Sequence, residues 1–289
     1  LSIFVLYGAM FHIFVIGRYT TTTVMRAVWL LYAILVTGLL LWSKIVLPIL
    51  TLRKPWEVVE NRVERGDSRT LVLKPVGHGG FSFQPGQFAW VKTVRSPFGY
   101  GQHPISMSSC GDVEPGGQVT FTIRNLGDWS GGRVPAIQPG DRVWLDGPHG
   151  VFSMDNEPAM GYVFIGGGVG ITPLYSMCLT MVEREDVRPV LLFYGGRDRE
   201  SLTFREELDA LTGRMNLQVI YVLENPPEGW EGESGYVTAD VLSRYLPKQF
   251  KRFAYFICGP DPMMDAMEKV LPELGVPAEK VLTERFAMV

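Results

Sequence analysis

Two uncharged apolar runs open the chain. Leu1 to Ile16 carries no charge, and Ala27 to Ser43 forms a second stretch that resumes beyond Lys44 as Ile45 to Leu50, with a polar, turn-like Gly17 to Thr23 between them. Hydrocarbon ~30 Å thick needs about 20 apolar residues, so the pattern predicts two transmembrane helices, with Lys44 snorkelling to the interface. Arg53 and Lys54 then set the C-terminal end, and all that follows, on the cytoplasmic side of a cell (inner) membrane. From Trp56 to about Asp155 the pattern changes to short alternating stretches: Thr70–Lys74, Gln87–Val91, Val119–Ile123 and Arg142–Leu145. Turn pairs such as Pro85-Gly86, Gly116-Gly117 and Pro139-Gly140 separate them, as in an antiparallel Greek-key β-barrel. From Gly161 apolar strands alternate with helical periods. Tyr162–Ile165, Val190–Tyr194, Leu217–Val222 and Ala254–Ile257 are the strands of an α/β parallel-sheet domain, with helices at Leu174–Glu183 and Met263–Val270. The expected organisation is a membrane part over 1–54, a barrel over 55–155 and an α/β domain over 156–289.

Charge supports that division. Residues 1–54 hold five basic residues and no acid, leaving 22 basic and 30 acidic residues for the rest. A basic apolar head on an acidic body points to a lipid bilayer and away from nucleic acid, which selects a basic globular face. Cys110, Cys178 and Cys258 are isolated, with no C-x-x-C pair. That excludes a disulfide scaffold, a structural zinc site and an iron–sulfur domain. Leu1 is not an initiator methionine, so the first run reads as the tail of a longer span.

Five places carry candidate chemistry. His103-Pro104-Ile105-Ser106-Met107-Ser108-Ser109 sets small hydroxyls at a strand edge, where they can hydrogen-bond a polar ring edge or a phosphate; an ordinary serine-rich loop is the alternative. Arg124-Asn125-Leu126-Gly127-Asp128-Trp129-Ser130 ends a strand in a glycine turn and a hydroxyl at a helix start. Such a turn either offers N–H groups to an anion or only caps a helix. Gly166-Gly167-Gly168-Val169-Gly170-Ile171-Thr172-Pro173 follows a strand and opens a helix. A dinucleotide pyrophosphate needs that order: no Cβ beside the phosphates and a helix N-terminus aimed at them. Arg197 and Arg199 follow the next strand and suit a 2′-phosphate, favouring NADPH over NADH, although Asp198 sits between them. His12 lies inside the first apolar run, where an imidazole either bonds a neighbouring helix or ligates haem iron.

Taken in order, these stretches resemble the ferredoxin–NADP reductase superfamily, and His103-Pro104-Ile105-Ser106 resembles the form found in its ferric reductase and NADPH oxidase branch. The resemblance implies FAD on the barrel, with Ser106 near flavin N5 and His103 and Arg124 near the ribityl–pyrophosphate portion. Gly127, Trp129 and Ser130 would belong to the turn around that pyrophosphate. Ile105 stands where the family has an aromatic over the ring. Asp146-Gly147-Pro148-His149-Gly150 matches a turn that closes the barrel. The G-G-x-G-[IV]-[TA]-P form of Gly166–Pro173 implies the NAD(P)H site. Cys258-Gly259-Pro260 would bring a thiol beside the nicotinamide C4, and Glu284 with Phe286 forms an E-x-F ending whose aromatic covers the flavin. By the same resemblance, electrons would pass from NAD(P)H through FAD, and through haem held in part by His12, to a small-molecule acceptor across the membrane. A ferric chelate is the first expectation for that acceptor and oxygen the second. A reductase component serving a separate oxygenase and a membrane-tethered nucleotide sensor are the alternatives.

Overall fold

The computed structural model describes residues 2–15, 22–93, 96–99 and 101–285. The chain divides into two units, Leu1–Arg53 with Ser96–Tyr100, and Lys54–Arg95 with Gly101–Val289.

In the first unit, α1 spans Ser2–Val15 and α2 Thr23–Leu41, followed by a π-helical turn, Trp42–Val46, and α3, Leu47–Leu52. Thr22 caps α2 by accepting the Met25 N–H. Pro48 explains the π turn: its ring would clash with the carbonyl four residues back and it has no N–H, so the preceding turn widens and the Leu47 N–H reaches Trp42 O. The result is one apolar helix of 30 residues, Thr23–Leu52, in which an 18-residue stretch has a mean hydropathy of 2.1. The expectation of two spans is corrected: among the described residues only this helix is long and apolar enough to cross a membrane. The 14 described residues of α1 rise about 21 Å.

In the second unit the antiparallel sheet contains β1 (Pro55–Glu64), β2 (Ser68–Pro75), β3 (Phe88–Lys92), β4 (His103–Ser106), β5 (Val119–Arg124) and β6 (Arg142–His149), in the order β4-β3-β6-β1-β2-β5. β6 returns to lie between β1 and β3. The two ends then meet: Met107 bridges to Phe121, and the Ser108 N–H donates to Thr120 O. Trp56, Val58, Leu71, Leu73, Phe121 and Val143 fill the interior. The expected turn at Gly147-Pro148 is instead the end of β6, which pairs with β3 through His149 opposite Phe88.

The parallel sheet comprises β7 (Tyr162–Gly167), β8 (Val190–Gly196), β9 (Leu217–Leu223), β10 (Glu233–Ser234), β11 (Ala254–Cys258) and β12 (Val281–Glu284), ordered β10-β9-β8-β7-β11-β12. Every residue of β7 and β11 is buried, as expected of strands covered on both faces. α4 (Ile171–Glu183) and α5 (Arg205–Leu211) pack on one face, and α6 (Ala239–Tyr245) and α7 (Asp261–Glu273) on the other. The chain runs from β7 outward to β9 and then returns to the far side of β7 as β11. The carboxyl ends of β7 and β11 therefore flank a topological switch point, where open α/β sheets hold ligands.

Candidate functional site

On the barrel side, β3 and β4 pair with Phe88 opposite Ser106 and Val91 opposite His103. Of the three hydroxyls in the His103–Ser109 stretch, two are used internally. Ser108 Oγ bonds Thr120 and Thr122 hydroxyls at 2.9 Å, and Ser109 Oγ accepts the Thr120 N–H at 3.2 Å. Ser106 is different. It is 2% exposed, and its Oγ is buried with no hydrogen-bond partner. An unmade bond of that kind costs about 1–3 kcal/mol and leaves the hydroxyl with its bonding capacity unused. Pro104 is exposed and Ile105 half-buried on the same edge. The His103 ring stacks on Trp129 with centroids 3.8 Å apart, and the Trp129 indole N–H donates to Thr93 Oγ1. Burial pushes the His103 imidazole below its ordinary range, so it is a neutral ring at pH 7. The expected anion turn at Gly127 is occupied by its own hydroxyl, since Ser130 Oγ accepts the Leu126 and Gly127 N–H groups at 2.9 and 3.0 Å.

On the sheet side two motifs that are far apart in sequence form one surface. A Cβ on Gly170 would stand 2.2 Å from Cys258 O, one on Gly167 2.8 Å from Pro260 Cδ, and one on Gly259 2.3 Å from Met263 Cε. Gly166 is closed over by Leu174 and Ile171. The loop then enters α4, a helix long enough for its dipole to favour an anion at its start. Thr172 and Pro173 are buried there, and the Thr172 hydroxyl donates to Val169 O, so these two shape the turn. Cys258 is fully buried, and burial raises its thiol well above its ordinary value. It is a neutral packing group rather than a nucleophile.

The two sides meet. A Cβ on Gly168 would lie 3.0 Å from Arg124 Nη1, so the barrel's guanidinium rests against the glycine loop. A Cβ on Gly150, just past β6, would lie 3.8 Å from Glu284 Oε1, and Glu284 is the register partner of Cys258. Arg124 thus meets the glycine loop at Gly168, and Gly150 meets Glu284; Ser106 is one step behind, opposite Phe88, whose ring lies 3.2 Å from the Cβ position of Gly150. Sequence reasoning left β12 unrecognised and so missed why Glu284 matters. Its Oε2 is buried without a partner, and burial pushes the carboxyl up to about 7.

That shift has a sign. Between about 4.5, the ordinary value, and about 7 the folded chain holds a proton that the unfolded chain has released. Stability is therefore highest below the unfolded value and falls as pH rises through the folded one, by about 3 kcal/mol in all. Glu284→Gln is expected to flatten this fall when urea unfolding is compared at about pH 5 and about pH 8. An unchanged slope would assign the fall to another group.

Three other expected residues are exposed. Arg197 is exposed and ion-paired with Asp198 at 3.0 Å, and Arg199 is exposed in the next short turn. His12 is exposed on α1, and among the described residues no group of three or more His, Cys, Asp or Glu is gathered. Phe286 lies outside the described residues. Its neighbour Arg285 bonds Asp265 and Glu268 of α7 at 2.7 and 2.8 Å. Sequence reasoning also missed a polar stripe on α4.

The arrangement fits FAD and NAD(P)H on structural grounds: an orphaned buried hydroxyl on the barrel edge, and a glycine-rich loop, Gly166-Gly167-Gly168-Val169-Gly170, at a helix N-terminus. Comparisons agree. Residues 164–269 match the oxidoreductase NAD-binding domain family. The chain is 32% identical over 251 residues to the reductase component of propane 2-monooxygenase from Mycolicibacterium smegmatis, covering 83% of this chain and 69% of that protein. It is 32% identical to the corresponding Rhodococcus jostii component, over 80% of this chain and 64% of that protein. NADH-cytochrome b5 reductase 1 of Pyricularia oryzae is 32% identical over 64% of this chain and 61% of its own length. The chain thus spans about two thirds of these relatives. Among solved structures, the FAD/NAD-binding domain of nitric oxide dioxygenase from Vibrio cholerae superposes with a TM-score of 0.70 at 22% identity, covering 81% of this chain and 98% of that one. The chain belongs to the ferredoxin–NADP reductase-like family of NAD(P)H-dependent flavin oxidoreductases.

Proposed function

We propose that this chain takes hydride from a nicotinamide dinucleotide and delivers electrons to a protein partner that accepts them one at a time. The observation that carries the reading is the meeting of the two halves of one unit, where the barrel's Arg124 lies against Gly168 of the glycine loop and Gly150 lies against Glu284, with the unpartnered Ser106 hydroxyl on the same barrel. FAD held there supplies the conversion from a two-electron donor to one-electron steps. The chain's own residues do the rest. Ser106 Oγ offers a hydrogen bond at the ring edge, Arg124 balances phosphate charge, and Gly167 to Gly170 admit the dinucleotide to the start of α4. Glu284 holds a proton at a buried carboxyl near neutral pH, and the neutral Cys258 thiol packs the floor without competing chemistry.

The relatives' names favour a protein acceptor over the ferric chelate or oxygen expected first. They are a monooxygenase's reductase component and a cytochrome b5 reductase. In the test, the purified full chain is loaded with FAD, bleached anaerobically with NADPH or NADH, and mixed with cytochrome b5, a [2Fe–2S] ferredoxin or ferric citrate. Faster oxidation by a protein acceptor supports the reading; faster oxidation by ferric citrate overturns it. Failure to bleach with either nucleotide would remove the enzymatic reading altogether.

A second reading rests on the apolar helix Thr23–Leu52. In that reading the same dehydrogenase is anchored in a membrane and feeds haem held partly by His12, as in the ferric reductase and NADPH oxidase branch, with the acceptor on the far side. A bis-histidine haem spectrum in the membrane-extracted protein, lost on His12→Ala, would establish it, and a haem-free membrane protein would reject it.

Nucleotide choice is tested at Arg197. Arg197→Ala is expected to raise the KM for NADPH several-fold and leave that for NADH unchanged, since a guanidinium–phosphate pair is lost only with the former. Equal effects would show that Arg197 serves only its ion pair with Asp198.

A further inference from the structure

Three polar groups stand about one turn apart along α4, an otherwise apolar helix. Ser176 Oγ donates to Ser109 O at 2.6 Å. Thr180 Oγ1 accepts the Gly111 N–H at 2.8 Å and donates to Ser176 O, also at 2.8 Å. Arg184, which caps the helix, holds Asp112 through Nε and Nη2 at 2.6 and 2.8 Å and reaches Asp155 through Nη1 at 2.5 Å. Ser176 and Thr180 are fully buried.

The spacing is commensurate. Four helical residues rise ~6 Å, and a two-residue step of chain reaches up to ~7 Å. Ser109 and Gly111 therefore fall opposite Ser176 and Thr180, and Asp112 meets Arg184. Two glycines outside the cofactor motifs shape the seam, Gly111 by letting its loop lie on Pro85 and Gly86 by letting the barrel approach Met177 of α4. A Cβ on Gly111 would stand 2.8 Å from Pro85 Cδ, and one on Gly86 2.2 Å from Phe152 O and 2.5 Å from Met177 Cε.

The seam joins the two halves of the site. Its barrel end begins three residues after Ser106, and its helix begins at the Gly167–Gly170 loop. Buried donors and acceptors that match in only one alignment give the seam a single setting, because slippage would leave them unpaired.

We propose that Ser176, Thr180 and Arg184 are positioning residues: they lock the Ser106-bearing edge of the barrel to α4, and so fix the separation across which hydride passes without holding either cofactor. This rests on the hydride-transfer reading above.

Thr180→Val keeps the side chain's bulk and removes the acceptor for Gly111, while Thr180→Ser keeps the acceptor. In the full chain loaded with FAD, Thr180→Val is expected to retain flavin content and affinity for oxidised NAD(P)+ within about twofold. Anaerobic single-turnover bleaching should slow at least about tenfold, because small misplacements of reacting groups are costly. With nicotinamide deuterated at C4 the isotope effect should rise, and Thr180→Ser should restore the wild-type rate within about twofold. Amide exchange read by mass spectrometry should accelerate in the Gly167–Gly170 peptide as well as in 109–112. Arg184→Gln, at the solvent edge of the seam, should give the same split if Thr180→Val does not fold. An unchanged bleaching rate, a fall that tracks lost flavin or lost dinucleotide affinity, or unchanged exchange in the glycine loop would each overturn the proposal. A wild-type chain that binds FAD but is bleached by neither nucleotide overturns the reading of function and this proposal with it. A wild-type chain that bleaches beside an unaffected Thr180→Val overturns this proposal alone.

Discussion

Gly170→Ala is expected to abolish nicotinamide-dependent flavin reduction and to destabilise the chain by about 3 kcal/mol. The new methyl would stand 2.2 Å from Cys258 O, 2.5 Å from Cys258 C and 2.7 Å from Gly259 N. All three are backbone atoms at the end of a fully buried strand. No side chain can swing away, so either β11 moves relative to β7 or the helix start tilts. Both responses open the crevice at the switch point. Gly79→Ala is the control, because nothing lies within 4 Å of its Cβ position; it should change stability by less than about 0.5 kcal/mol. Urea unfolding and anaerobic bleaching of the two variants test this. A Gly170→Ala protein with wild-type stability and reduction rate would show that the contact between the two motifs is not what shapes the site.

Ser106→Ala should have opposite effects on stability and on rate. Removing a buried hydroxyl that has no partner should stabilise the ligand-free chain by about 1 kcal/mol. The same change removes the hydrogen bond offered to the flavin ring. Reduction by NAD(P)H should slow by about 10²-fold, the scale set by deleting one preorganised donor from a closed site. Flavin retention should fall much less, since the remainder of the cofactor is held elsewhere. Absorbance of the purified variant gives retention, stopped-flow bleaching gives rate, and thermal unfolding of the apoprotein gives stability. Loss of flavin with an unchanged rate per bound flavin would reverse the assignment.

Much of the scaffold was legible because it rests on local signals. Alternation and turn pairs located the barrel strands, and the strand–glycine–helix order at Tyr162 to Glu183 located the nucleotide loop to within a few residues. Pairing was not legible. Which hydroxyl of the His103–Ser109 stretch is left for a ligand depends on β5, where Thr120 and Thr122 take up Ser108. The Gly147-Pro148 pair carried a turn signal but is drawn into β6 by its pairing with β3. β12 is only four residues long and half-exposed. Its strand character comes from pairing with β11, and with it the burial of Glu284. The α4 stripe did leave a signal, polar residues at every fourth position of an apolar helix, but its meaning required the partner loop.

The parallel sheet ends on one side in β10, two residues long, and on the other in β12, four residues long. β10 pairs only with Val222 and Leu223, so among the described residues Leu217 to Tyr221 of β9 have no strand paired on their outer side. Edge-to-edge polymerisation, the usual hazard of an open sheet, therefore finds its template along the first part of β9.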